Sequence, residues 1–189
     1  MMRIITGTAK GVRLKTLEGE ATRPTTERVK EAVFSMIQFE LEGRTVLDLF
    51  AGSGQMGLEA LSRGARQAVL VDRSKDAVRV IEENALKTKL ADHCMIRQVD
   101  CLDFIRRNRG KKYDIIFLDP PYASGLYHPV LQALLECDML KATSLILCES
   151  DTEELFRNDP VLADSYKIHK ISRYSKTVIT ILSPVLTEE

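Results

Sequence analysis

From Thr45 onward, short apolar runs alternate with amphipathic stretches at a near-constant interval, a rhythm that few architectures tolerate. TVLDLF precedes Met56–Ser62, QAVLVD precedes Lys75–Leu86, and CMIRQV precedes Leu102–Arg107. YDIIFLD then precedes Leu126–Glu136, and SLILCE precedes Glu153–Phe156. A strand returning to a parallel neighbour needs a crossover, usually a helix, so this alternation predicts a parallel sheet covered by helices on both faces. The tail breaks the pattern. Tyr166–Ser172 and Lys176–Leu182 are separated only by Arg173-Tyr174-Ser175, which is too short for a crossover and predicts an antiparallel hairpin at one sheet edge.

Five parallel strands ending in such a hairpin resemble the α/β sheet of class I methyltransferases. That sheet is Rossmann-like, seven-stranded and mostly parallel, of order 3-2-1-4-5-7-6, and differs from a dinucleotide-binding Rossmann sheet. Before it, Arg3–Thr8 and Val12–Thr16 read as two short strands around Lys10-Gly11. A helix follows from about Thr26 to Phe39, with Thr25 or Thr26 as N-cap and Val29, Val33, Phe34, Ile37 and Leu41 at helical spacing. Residues 1–42 are therefore expected to form a hairpin and helix extension packed on a main domain of residues 43–189.

The 189 residues suffice for one domain with a sizeable core, and a composition 44% hydrophobic and 29% charged is that of a globular chain. No apolar run is long enough to span a membrane, and MMRIITGTAKGVRL has no continuous signal core, so a cytoplasmic protein is expected. Cys94, Cys101, Cys137 and Cys148 lack CxxC spacing and read as reduced thiols. His93, His128 and His169 are scattered, and no metal is expected. Net charge is zero, so any sign of a nucleic-acid partner lies in the distribution of charge. Arg3, Lys10, Arg13 and Lys15 lie in a stretch without acids and either contact phosphates or form a solvated face. For Arg106, Arg107, Arg109, Lys111 and Lys112 the solvated face is preferred.

TVLDLF runs into Ala51-Gly52-Ser53-Gly54-Gln55-Met56-Gly57, which fits G-x-G-x-x-G. Glycines there permit a tight strand-to-helix turn and a close backbone approach to a ligand. The pattern alone serves NAD, FAD or S-adenosylmethionine. Asp48 favours the last, because a carboxylate suits the cationic amino group of that cofactor and not an anionic pyrophosphate. Asp72, ending QAVLVD, is placed to accept hydrogen bonds from ribose hydroxyls, although it could instead cap the next helix. Asp100 is placed to accept from the adenine amino group or to cap the helix from Leu102, with the Cys101 amide beside it. Phe50, Ala51, Ser53 and Arg73 complete the expected cofactor set.

After YDIIFL comes Asp119-Pro120-Pro121-Tyr122, at the sheet edge where ligands of open α/β folds bind. The prolines stiffen the turn and remove two backbone donors, leaving carbonyls and the Asp119 carboxylate as acceptors. An exocyclic amine on a nucleobase is a poor nucleophile because its lone pair is delocalised into the ring. Hydrogen bonds from it to Asp119 and the Pro120 carbonyl would localise that lone pair, and Asp119 could take the released proton. Tyr122 offers a stacking face worth ~1–3 kcal/mol. A base paired in a duplex cannot enter such a site, so the target would be unpaired or flipped out. The plain alternative is a rigid loop that ends a strand.

Together these residues resemble the RsmD family, bacterial enzymes that methylate the exocyclic N2 of one guanine in 16S ribosomal RNA. The resemblance runs through RIITGTAKGVRL, Thr22-Arg23-Pro24-Thr25, Arg28-Val29-Lys30-Glu31-Ala32-Val33-Phe34, LDLFAGSGQMGLEALSRGA and FLDPPY. It implies that Asp48, Gly52, Gly54, Asp72 and Asp100 hold the cofactor, while Asp119, Pro120 and Tyr122 hold the guanine amine, with Asp119 reaching the cofactor as well. It also implies that Arg23, Pro24 and Thr25 lie over the cofactor with Arg28 close by, Arg28 then joining the RNA-binding set. The partner would be 16S rRNA within a small subunit or an assembly intermediate, met by a monomer. Two departures stand out: Asp72 where the family commonly has glutamate, and Ser175-Lys176 where relatives often carry glycine with an acidic residue.

Other functions share some of these features. Methylation of another RNA base, or of adenine N6 in DNA, would use the same turns, but one short domain leaves little room for DNA target recognition. A nucleotide-dependent oxidoreductase would need a substrate domain. A ribosome-assembly factor with a vestigial cofactor site would not need intact acidic and glycine positions.

Overall fold

The computed structural model describes residues 2–17, 27–157 and 159–186. Its elements are α1 (Glu27–Met36), β1 (Thr45–Asp48), α2 (Gln55–Ser62), β2 (Gln67–Asp72), α3 (Lys75–Lys87), β3 (Cys94–Gln98), α4 (Cys101–Arg107), β4 (Tyr113–Leu118), α5 (Tyr127–Glu136), β5 (Leu140–Ser150), α6 (Pro160–Asp164), β6 (Tyr166–Tyr174) and β7 (Thr177–Pro184). The strands form one sheet of order β3-β2-β1-β4-β5-β7-β6, the order of the class I sheet that the alternation and the terminal hairpin resemble. The chain clusters into two compact units, Met1–Asp100 and Cys101–Glu189.

In the first unit, β1 and β2 pair in parallel from Thr45 opposite Gln67 to Asp48 opposite Leu70, and β2 pairs with β3 in the same sense. The interior of β2 is wholly buried, as a parallel strand covered on both faces must be. On α3, Ala77, Val80, Ile81, Asn84 and Ala85 make the buried stripe, so one amide sits in an otherwise apolar row. On α2, six consecutive residues from Gly57 to Ser62 are buried, more than one helical face.

The N-terminal segment explains that burial, and it departs from the expected pair of strands. Only Arg3 and Arg13 form a bridge, with Ile4 N–H donating to the Val12 carbonyl at 3.0 Å and Leu14 N–H to the Met2 carbonyl at 3.0 Å. Regular pairing stops after Ile4 because the next backbone donors of this segment are spent on α2. The Ile5 and Thr6 N–H groups donate to Glu59 at 2.8 and 3.0 Å. Thr8 N–H reaches the Ser62 carbonyl at 2.8 Å, and Ala9 N–H reaches Ser62 Oγ at 3.0 Å. At Gly7, φ is +89° and an added Cβ would sit 1.7 Å from the Ser62 carbonyl oxygen, so only glycine lets the segment lie this close. The segment is a strap over α2.

Glu59 is the strap's polar centre. It is fully buried and meets Lys30 Nζ at 3.2 Å and Arg63 Nε at 2.8 Å, while Lys30 also donates to the Arg3 carbonyl at 2.6 Å. Burial lowers the Lys30 pKa, and Glu59 opposes that shift. The helix expected from Thr26 to Phe39 is the shorter α1, and its expected caps Thr25 and Thr26 lie outside the described residues.

In the second unit, all six residues of β4 are buried. β5 pairs in parallel with β4 and antiparallel with β7, which pairs antiparallel with β6 from Tyr166 opposite Pro184 to Tyr174 opposite Thr177. The hairpin loop is therefore Ser175-Lys176, one residue shorter than expected, and Ser175 takes a left-handed φ of 59°. A two-residue loop whose twist matches its strands requires positive φ, and here serine supplies it. The helix expected at Glu153–Phe156 is absent. Thr152 Oγ1 accepts the Glu154 N–H at 3.1 Å, a local turn bond that competes with helix, and the helix here is α6, capped by Asp159 with Pro160 at its start.

Candidate cofactor and catalytic turns

Between β1 and α2, Gly52 and Gly54 hold φ of 53° and 80°. They act differently. A Cβ on Gly54 would press on Ile81 at 3.2 Å, whereas one on Gly52 would meet nothing within 4 Å. Gly54 serves packing against α3, and Gly52 serves the backbone turn on an open side. The Ala51 N–H bonds the Val71 carbonyl at 3.0 Å, and Gly54 N–H bonds the Ala51 carbonyl at 2.6 Å, closing the turn. Ser53 is 6% exposed, and its Oγ donates to Met2 Sδ at 3.0 Å.

Asp48 ends β1 at 3% exposure, accepting the Phe50 N–H at 3.3 Å. Burial pushes its pKa up to about 7, and the nearby Asp72 adds to the shift. No cation among the described residues compensates it. Asp72 is committed to the turn through both oxygens: Oδ2 accepts the Gly52 N–H at 2.9 Å and Oδ1 accepts the Ser74 N–H at 2.8 Å. The N-cap of α3 is Ser74, whose Oγ accepts from Ala77, so the capping alternative for Asp72 falls away. Each carboxylate oxygen retains a second lone pair for a ligand hydroxyl. Arg73 and Asp100 are exposed, and Asp100 directly precedes α4.

Cys101 opens α4 and is buried. In the same unit, β4 delivers Asp119 exposed, Pro120 buried, Pro121 exposed and Tyr122 half-buried. Pro121 has φ −53° and its carbonyl accepts the Ser124 N–H at 2.8 Å, which closes the turn after the two prolines. Gly125 ends the turn at φ 65° and leads into α5. A groove of about 290 Å³ opens there, lined by Gly125, Tyr127, His128, Thr152 and Leu155. Tyr127 donates its hydroxyl to the Glu149 carbonyl, and burial, with Cys148, Asp119 and Tyr122 nearby, raises its pKa so that the phenol stays neutral.

Of the basic residues expected to meet RNA, Arg3 pairs with Glu27 at 3.1 Å and Lys15 with Glu83 at 2.8 Å. Lys10, Arg13 and Arg28 are exposed. Arg23, Pro24 and Thr25 lie outside the described residues. Among the described residues no group of three or more His, Cys, Asp or Glu is gathered as a metal would require, and no helix is long and apolar enough to cross a membrane. Sequence reasoning passed over Asn84, Glu59, Lys30 and Tyr127. The first three had a signal, a polar residue within an apolar helical stripe; Tyr127 had none.

The sheet order, the acid ending β1 and the glycine turn after it define the class I methyltransferase fold. The family described as "Conserved hypothetical protein 95" matches residues 2–183, and the chain belongs to this family, the RsmD family. A Bacillus subtilis relative named "Putative rRNA methyltransferase YlbH" is 39% identical over 154 residues, covering 80% of this chain and 84% of the relative. "Ribosomal RNA small subunit methyltransferase D" of Escherichia coli K12 is 31% identical over 169 residues, covering 89% and 83%. Among solved structures, "Putative methyltransferase yhhF from Escherichia coli" superposes with a TM-score of 0.85 at 29% identity, covering 97% of each chain.

Proposed function

We propose that this chain methylates the exocyclic N2 of a guanine in 16S ribosomal RNA with S-adenosylmethionine as donor, working as a cytoplasmic monomer on a small subunit or an assembly intermediate. One observation carries the cofactor assignment within this family: Asp48 is a buried carboxylate with no compensating cation among the described residues, and a left-handed glycine turn follows it. A pyrophosphate would be repelled there. An ammonium group would be attracted.

When bound, S-adenosylmethionine supplies a methyl group made electrophilic by its sulfonium. Asp48 would pair with its ammonium, and Asp72 would accept ribose hydroxyls on the lone pairs left by Gly52 and Ser74. Phe50, Ala51 and Ser53 would border the turn, Arg73, Asp100 and Cys101 would flank the nucleoside, and Arg23, Pro24 and Thr25 would cover it. Asp119 and the Pro120 carbonyl would accept the guanine N–H groups, and Asp119 the departing proton. Tyr122 would stack on the base, with Pro121 keeping the turn stiff. Asp119 is exposed and so accessible to a flipped-out base. Lys10, Arg13 and Arg28 would meet phosphates, joined by Arg3 and Lys15, whose exposed pairs are weak enough to exchange.

The test is incubation with methyl-labelled S-adenosylmethionine and small subunits from cells lacking this gene, followed by nucleoside analysis. Label is expected in N2-methylguanosine. Label in another nucleoside would overturn the guanine assignment and keep the transferase. Asp119→Ala should abolish labelling while leaving cofactor affinity nearly unchanged. Loss of cofactor binding instead would overturn this division of roles.

A further inference from the structure

Asn84 ties the glycine turn to the strap. It lies fully buried in the apolar stripe of α3, and all of its hydrogen-bonding groups are occupied. Its Oδ1 accepts the Lys15 N–H at 2.8 Å, and its Nδ2 donates to the Lys15 carbonyl at 3.0 Å and to the Ser53 carbonyl at 2.9 Å. Ser53 stands between the two left-handed glycines of the turn. The other end of the strap reaches the same residue, through Met2 Sδ and Ser53 Oγ. One planar amide thus holds the strap backbone on one side and the turn backbone on the other.

Building on the reading of this turn as the cofactor site, we propose that Asn84 is a positioning residue that couples cofactor binding to the order of residues 12–17 of the strap. Those residues carry Arg13 and Lys15 toward the RNA. The physical basis is the cost of leaving a buried amide unsatisfied. A ligand that fixes the Ser53 carbonyl toward Asn84 fixes the amide plane. Through two bonds to one residue, that plane fixes the Lys15 backbone. By linkage, RNA that orders the strap tightens the cofactor by the same factor. The strap also contains an internal control, because Ile5, Thr6 and Ala9 donate to Glu59 and Ser62 on α2, away from the turn.

Amide hydrogen exchange on the full chain, with and without saturating S-adenosylhomocysteine, tests the coupling. Bound ligand should slow the Leu14 and Lys15 amides about tenfold, within the usual coupling range, and leave Ile5, Thr6 and Ala9 changed far less. In Asn84→Ala, the turn residues 52–58 should still gain protection while Leu14 and Lys15 gain none. A purely structural Asn84 would instead loosen the strap equally with and without ligand. If Asn84→Ala does not fold, Lys15→Pro deletes the N–H that Asn84 accepts and leaves the Ser53 bond, and Leu14 should then lose its ligand-induced protection. Protection of the turn without protection of Leu14 in the wild type, or protection of Leu14 that survives in either variant, overturns the inference. Absence of any protection at the turn, with no binding heat, overturns the cofactor assignment itself and this inference with it.

Discussion

The strap and the β6–β7 hairpin begin from the same kind of sequence, two short runs with a tight turn between them, and fold into different objects. β6 and β7 pair from Tyr166 opposite Pro184 to Tyr174 opposite Thr177, with one register shift between Ile168 and Lys170, and β7 also pairs with β5. In the strap one bridge survives, and four backbone donors, those of Ile5, Thr6, Ala9 and Lys15, go to side chains of α2 and α3: Glu59, Ser62 and Asn84. The hairpin is held mainly by backbone repetition; its ion pair, Arg173 to Glu153 at 2.7 Å, has both side chains about half exposed, and Tyr166 adds one buried bond to the Leu131 carbonyl at 2.7 Å. The strap is held by buried polar groups far away in sequence. A cut in its polar anchors should therefore be costly, and a cut in the hairpin's ion pair should not.

The sharpest way to break this contrast is Glu59→Ala. It leaves Lys30 buried without its counter-charge and strands the Ile5 and Thr6 N–H groups, so a loss of about 3–5 kcal/mol is expected in urea unfolding. Glu153→Ala at the hairpin should cost under about 1 kcal/mol, because its partner is solvated. Equal losses at the two sites would erase the distinction.

Asp48 extends it to a buried carboxylate with no compensating cation among the described residues. Its folded pKa, about 7, lies above its ordinary value of 3.8, so the folded state holds the proton more tightly than the unfolded chain does. Its contribution to stability is full below about pH 4 and is lost as pH rises toward and through 7. Cofactor binding follows the opposite course, since an ammonium prefers the ionised form. Affinity for S-adenosylhomocysteine should rise with pH by up to about tenfold per unit below 7 and level off above it. Asp48→Asn should bind weakly with a flat profile. Calorimetry across pH 5–8 checks this prediction, and a flat wild-type profile would remove the carboxylate–ammonium pair.

A third cut concerns the strap's exposed side chains rather than its anchors. Neutralising Lys10 and Arg13 should leave stability unchanged, weaken RNA binding and reduce the slope of log affinity against log salt by about 1 to 2. Lys15→Ala should do less, because Lys15 must first leave Glu83. An unchanged slope would take the strap out of the RNA interface.

What could be read from the chain follows the same division. The parallel strands, the edge hairpin and the placement of both turns rest on periodicity and on connection length, which are local, and they were legible; the sheet order came through the resemblance to the class I sheet. The strap was not, because its path depends on where Glu59, Ser62 and Asn84 come to lie once α2 and α3 have formed. Its marker in the sequence was indirect: Lys30, Glu59 and Asn84 interrupt apolar helical faces. Asp72 showed the limit in another way. Its position at a strand end was clear, but its bonds to Gly52 and Ser74 appear only when the turn closes back on β2.

The smallest expected effect lies in the hairpin loop and tests whether this region answers to local rules alone. Ser175 holds φ of 59°, a left-handed conformation that costs an L-residue other than glycine roughly 1–2 kcal/mol. Glycine removes that cost but loosens the unfolded chain, which returns about 0.5–1 kcal/mol. Ser175→Gly should therefore stabilise the protein slightly, by about 0.5–1 kcal/mol in urea unfolding, with no change in cofactor affinity. Destabilisation would mean that the Ser175 side chain makes a contact worth more than the strain it bears, and the hairpin would then share the strap's dependence on particular side chains.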